Sequence, residues 1–166
     1  TSCTNCSRSA RISNKEQIQD DASNNAQRNR NNRSRSSDEE NIVPLTKANG
    51  VYYISIIING VPMEAIFDTG ASTISMSQTE VNFLYKQGKL ADEDFVGTQN
   101  FIDANGDITE GSLLNLKSLT IGNKTIHNVT ASVVPNFGAP ILLGQTALSK
   151  LGKISVDYER NELTFE

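Results

Sequence analysis

Apolar and polar positions divide this chain near Asn41. Before that point Ser, Asn, Arg, Gln and Asp dominate, with only scattered Ile and Ala. After it, strand patterns follow one another. Tyr53-Ile54-Ser55-Ile56-Ile57-Ile58 is rich in β-branched residues and runs into Asn59-Gly60, a strong two-residue hairpin signal. Val61, Met63, Ala65 and Phe67 then alternate with Pro62, Glu64 and Ile66, a period-two strand leading into Asp68-Thr69-Gly70. A short helix closed by Gly88 is expected over Thr79 to Lys89, and a loop over Asp92 to Asp94. Strand signals return from Val96. Asn100 to Ile102 leads to a second hairpin tip at Asp103-Ala104-Asn105-Gly106-Asp107, and Leu114, Leu116 and Leu119 precede a turn at Gly122-Asn123. Val129 to Val134 reads as a strand. Ile141-Leu142-Leu143 is short and wholly apolar, the signature of a strand buried on both faces. Gln145 to Leu151 suggests a brief helix stopped by Gly152. Ile154, Val156 and Tyr158, a turn at Arg160-Asn161, then Leu163 and Phe165 complete the pattern. Short strands separated by Gly and Asn turns predict an all-β, barrel-like domain over residues 42–166 with one or two short helices.

Composition sharpens the division. The chain has 166 residues and 37% apolar content, yet every Phe and Tyr lies beyond Asn41. Residues 1–41 lack the apolar surface to offset the entropy of ordering them, and are expected to form a disordered tail or linker. Every arginine except Arg160 sits in that tail, where acids nearly cancel them, and the folded part is mildly acidic. No basic stripe with interleaved aromatics exists, so nucleic acid is not an expected partner. No stretch reaches the roughly 18 apolar residues of a membrane span.

Few residues remain as candidates for chemistry. Cys3 and Cys6 form a lone Cys-x-x-Cys; a structural zinc site needs four ligands, and no second pair exists. No metal or cofactor is expected. Asp103 to Asp107 hints at a calcium loop, but the template wants Gly and Glu where Ile108 and Leu114 stand. His127, the only histidine, would have to serve any serine or cysteine nucleophile, but it reads as an exposed strand residue. The remaining signal is Phe67-Asp68-Thr69-Gly70-Ala71-Ser72: an apolar strand delivers Asp68 into a turn that Gly70 permits. A second apolar strand ends downstream in Leu142-Leu143-Gly144.

These ordered motifs resemble the retropepsins, the retroviral-type aspartic proteases, and most of all their bacterial members with Asp-Thr-Gly-Ala-Ser. The resemblance covers roughly residues 43–166. It implies a retropepsin-like fold with a flap hairpin and gives Asp68 the role of catalytic carboxylate. Thr69 would hydrogen-bond across a dimer axis, and Gly70 would give the substrate backbone room. Ala71 and Ser72 would line the substrate site, with Ala104, Asn105 and Gly106 at the flap tip. Pro140 and Leu142 would form subsite walls. Retroviral members carry Asp at the position of Ser72 and Arg at that of Gln145, so a neutral contact is expected here in place of their ion pair.

The chain has a single Asp-Thr-Gly. Two carboxylates that share one proton are needed to activate water in such enzymes, so a second copy is expected to supply the partner. The terminal strands, including Leu163-Thr164-Phe165, are expected at the dimer contact. The expected activity is that of a homodimeric aspartic endopeptidase on peptide or protein substrates. The alternatives are an idle dimerising or peptide-binding module of the same fold and an autoprocessing-only protease. Thr1-Ser2-Cys3 is similar to the end of a bacterial lipoprotein signal. An anchor upstream of these residues is therefore expected, with the domain outside the cytoplasm in the periplasm or cell envelope.

Overall fold

The computed structural model describes residues 42–102 and 105–166. The expected tail, with Cys3 and Cys6, and Asp103 and Ala104 of the expected flap hairpin lie outside the described residues. Strands β1 (Ile42–Ala48), β2 (Val51–Ile58) and β3 (Val61–Phe67) form consecutive hairpins. Their turns, Asn49-Gly50 and Asn59-Gly60, have φ of 52°, 80°, 49° and 83°. Two-residue turns of this hand need positive φ at both positions, which Asn and Gly tolerate best. A short strand β4 (Ile74–Ser77) leads into helix α1 (Gln78–Lys86). Ser77 caps that helix: its hydroxyl accepts from Thr79 N–H, and Glu80 reaches back to the Ser77 N–H at 3.0 Å. A 3₁₀ turn (Asp92–Asp94) stands where a loop was expected. The Asp94 carboxylate accepts the Ala91 N–H at 2.9 Å and pairs with Lys117 at 3.2 Å, which tightens the segment into a turn.

Next come β5 (Phe95–Ile102), β6 (Ile108–Ile121), β7 (Lys124–Val134) and β8 (Ile141–Leu143). Helix α2 (Gln145–Leu148) follows, continued by a 3₁₀ turn (Ser149–Leu151), and the chain ends in β9 (Ile154–Asp157) and β10 (Glu162–Phe165). Two strands went unpredicted: β1, and the four-residue β4. His127 sits exposed on β7, as expected, with Nδ1 3.1 Å from the Lys117 carbonyl; that oxygen can only accept, so Nδ1 carries the proton. Among the described residues no helix is long and apolar enough to cross a membrane.

The strands form one ten-stranded sheet in the order β5-β6-β7-β4-β8-β3-β2-β1-β10-β9. A further pairing of Ile57 with Thr120 and Ile58 with Leu119 joins β2 to β6 and closes a ring of six strands. The expected barrel is thus present but not clean. The first half of β2 pairs with β1 and only its end reaches β6, while β5 on one side and β1, β10 and β9 on the other extend from the ring. Period-two burial fills the interior: Ile54, Ile56 and Ile58 of β2 and Leu114, Leu116, Leu119 and Ile121 of β6 are all within 1% of full burial. Truncating any of these to Ala would cost about 2–5 kcal/mol.

The C-terminal strand is covered within the chain. Leu163 and Phe165 are buried in the chain's own core, and β10 pairs with β1 on one edge and β9 on the other. Both main-chain edges of β10 are therefore taken within one chain. The sheet ends instead at β5 and β9.

Candidate active site

The site is built where β3 and β8 end side by side. They run parallel, with Ala65, Ile66 and Phe67 opposite Ile141, Leu142 and Leu143. The Asp68 N–H extends the ladder by one bond, 3.3 Å to the Leu143 carbonyl. The chain then loops through residues 68–73 past the end of β8 and returns on its far side as β4, where Ser75 lies opposite Leu142. β8 therefore has a strand on each edge. The expectation that both its faces are buried needs correction. Ile141 and Leu143 point into the core, while Leu142, on the opposite face, is only half-buried.

Four further hydrogen bonds tie the loop to its surroundings. Gln145 N–H donates to the Ala71 carbonyl at 2.8 Å, and Thr146 N–H to the Ser72 carbonyl at 3.0 Å. The Gln145 side-chain amide donates to the Thr69 carbonyl at 2.8 Å. Thr73 Oγ1 lies 3.0 Å from Ser132 Oγ on β7, and Ser132 is fully buried. The neutral contact expected between Ser72 and Gln145 therefore takes another form: Ser72 engages α2 through its backbone, and Gln145 turns to Thr69. Gly144 makes the close wrap possible, because a Cβ there would stand 2.2 Å from the Thr73 carbonyl oxygen and 2.7 Å from that of Ala71.

Asp68 is half-buried at the head of this loop, and Thr69 and Gly70 beside it are exposed. The carboxylate does not point idly outward, since its Oδ1 accepts the Gly70 N–H at 2.8 Å. The turn does not need Gly70 for a left-handed backbone, since Gly70 is not among the residues with positive φ. A Cβ at position 70 would lie 3.2 Å from Asp68 Oδ1, a tight contact that the carboxylate would have to relieve by shifting. Ala71 is half-buried and Ser72 exposed. Leu142 sits one residue before the end of β8, facing away from the core. Pro140 is exposed just ahead of it, in the loop that holds Phe137. The Phe137 carbonyl accepts from Thr79 Oγ1 at 2.8 Å, which ties that loop to the start of α1.

The expected flap corresponds to the β5–β6 hairpin, paired from Phe95 with Leu114 out to Ile102 with Ile108. β5 is an edge strand exposed along almost its whole length. Only Phe101 is partly covered, its ring lying over Gly111, where a Cβ would approach Phe101 Cε2 to 2.5 Å. At the tip, Asn105 and Gly106 are exposed, and Gly106 has φ of 89°. Among the described residues, no group of three or more His, Cys, Asp or Glu side chains is arranged to hold a metal ion. Sequence reasoning did not find Gly144, Thr73 and Ser132 as supports of the loop. It placed Gln145 opposite Ser72, as a replacement for Arg, and not at Thr69.

What the arrangement offers chemically is one carboxylate, accessible and held by a backbone donor, at the open end of two parallel strands. No curated protein matches the chain in sequence. The family model described as "gag-polyprotein putative aspartyl protease" matches residues 54–150, which span β2 to the 3₁₀ turn after α2 and include the whole Asp68 loop. Among solved structures, a retropepsin-like aspartic protease from Rickettsia conorii is similar in fold, with a TM-score of 0.57 and 24% identity over 75% of this chain and 87% of that one. With its motif, its strand arrangement and this match over more than half its length, the chain belongs to the retropepsin-like family of aspartic proteases.

Proposed function

We propose that two copies of this chain form an aspartic endopeptidase, each giving one Asp68. The observation that carries the reading is the single Asp-Thr-Gly, whose Thr69 and Gly70 are exposed in the isolated chain while Asp68 is already held by the Gly70 N–H. Two such loops meeting at a two-fold axis would bring the carboxylates to roughly 3 Å, where both cannot ionise. The ionised one takes a proton from water, and that water attacks the peptide carbonyl. The protonated one donates to the carbonyl oxygen as charge builds there. As the C–N bond breaks, the dyad protonates the departing amine and takes a proton back from a hydroxyl of the tetrahedral intermediate, which restores the single shared proton. The substrate would lie as an extended strand between the β5–β6 hairpin and the loop floor, with Ala71, Ser72, Asn105, Gly106, Pro140 and Leu142 around it. Since β10 is paired on both edges, β9 is the terminal strand with an edge open to a second copy.

The test is cleavage of a mixed peptide library by pure protein from acidic to neutral pH, beside an Asp68→Asn variant of matched fold. Wild-type protein should cut, and the variant should lose activity by about 10²–10⁴-fold. Equal cleavage by both would remove Asp68 from the chemistry. Binding without cleavage by wild type would leave a peptide-binding module.

A further inference from the structure

We infer that Gln145 is a positioning residue for Asp68, acting through the Thr69–Gly70 peptide group; this rests on the reading of Asp68 as the catalytic carboxylate. The two hydrogen bonds involved meet on one planar unit. Gln145 Nε2 donates to the Thr69 carbonyl at 2.8 Å, and the Gly70 N–H donates to Asp68 Oδ1 at 2.8 Å. That carbonyl and that N–H belong to the same amide and point to opposite edges of it. Fixing the oxygen therefore fixes the direction of the N–H. The bonds also polarise one another along the chain from amide to amide to carboxylate.

The rest of the loop leaves this peptide plane free to flip: the Ala71 N–H bond to the Asp68 carbonyl at 3.3 Å closes a turn around it, but the central peptide of such a turn can face either way, as types I and II show. Thr69 and Gly70 are exposed, and Gly70 has no side chain to resist rotation of the peptide plane. The bonds from the Gln145 and Thr146 N–H groups hold Ala71 and Ser72, beyond the peptide in question. Those same bonds register the root of the Gln145 side chain to the loop, so its amide reaches a defined point 76 residues away in sequence. The Thr69 oxygen can only accept, so the nitrogen of the Gln145 amide must face it. A carboxylate at position 145 would present oxygen to oxygen and push the peptide away. A neutral or cationic donor of similar reach would serve.

The experiment reads the Gly70 amide directly in the full chain by NMR, alongside steady-state cleavage, in Gln145→Ala, Gln145→Glu and Gln145→Arg. In Gln145→Ala and Gln145→Glu the Gly70 amide proton should move upfield and exchange about fivefold faster or more, while core amides of β2 and β6 stay unchanged. In the same variants kcat should fall about three- to tenfold, the effect of losing one hydrogen bond, with KM within about twofold of wild type. Gln145→Arg should restore both readouts. A Gly70 amide indistinguishable from wild type in Gln145→Ala overturns the inference, as does a loss of activity that lies in KM or that Gln145→Arg fails to recover. If Asp68→Asn still cleaves, the catalytic reading of Asp68 falls by itself, and the Gly70 amide still decides whether the relay exists.

Discussion

At the scale of single residues, the site depends on what is missing as much as on what is present. Gly144 lies inside the curve of the Asp68 loop, and the three atoms its Cβ would meet most closely are all main-chain: the Thr73 carbonyl oxygen at 2.2 Å, and the Ala71 carbonyl oxygen and Thr73 carbonyl carbon, each at 2.7 Å. A flexible side chain could move aside, but a main-chain carbonyl can do so only by displacing the loop. Gly144→Ala should therefore destabilise the fold by about 1–3 kcal/mol, an overpacking cost, and should depress activity beyond what the lost folded fraction explains. Gly138→Ala is the matched control: its Cβ would meet nothing closer than Asn136 Oδ1 at 3.9 Å, and it should stay within about 0.5 kcal/mol of wild type. Thermal unfolding of both, with activity normalised to folded protein, decides the matter. Equal stability of the two variants would mean that the loop has slack the close contacts deny. Asp68, Thr69 and Gly70 were legible in the sequence because strand, turn residue and glycine are contiguous. The supports were not, because Gln145 and Thr69 are 76 positions apart and Thr73 and Ser132 are 59 apart. No local pattern encodes such pairings.

At the scale of elements, turns were the most readable feature. Asn59-Gly60 and Gly122-Asn123 stand where their chemistry puts them, between β2 and β3 and between β6 and β7. Strands that break the alternating pattern were missed. β1 carries Pro44 in its middle, and β4 has only four residues, three of them buried. The β9–β10 turn was legible as a turn, but its pH sensitivity comes from geometry. Asp157 Oδ1 accepts the Glu159 and Arg160 N–H groups at 2.9 and 3.0 Å, and Oδ2 accepts the Arg160 Nε–H at 2.9 Å. The Arg160 backbone bond, ahead of the guanidinium, holds the carboxyl below its usual value of 3.8. A carboxylate with a depressed folded-state pKa contributes stability that is fully present above the unfolded value and is lost as pH falls through the folded one. Wild type should thus exceed Asp157→Ala in thermal stability at neutral pH, and the gap should narrow as pH drops below 3.8. Melting curves for the pair from about pH 6 to about pH 2 test this. A gap that stays constant across that range would assign the turn's stability to packing rather than to the carboxylate.

At the scale of the whole molecule, the all-β class was readable from the spacing of strands, but the way the ring closes was not. Closure rests on two residue pairs between β2 and β6, and the parallel β3–β8 pairing joins segments that the entire β5–β6 hairpin separates in sequence. β10 is likewise paired on both sides within the chain, with β1 from the far end of the domain and with its neighbour β9. Since the proposed dyad needs two chains, specific activity should rise with protein concentration over the range where the dimer forms. Mixing separates a shared dyad from two independent sites. When wild type and Asp68→Asn exchange subunits at random in equal amounts, about a quarter of the dimers hold two carboxylates, so activity per wild-type chain should fall about twofold, and further as the variant is added in excess. The exchange itself can be followed with differently labelled chains. Should activity per wild-type chain stay constant while labelled heterodimers form, each Asp68 works without its counterpart, and the single-carboxylate loop would have to find its second acid within its own chain.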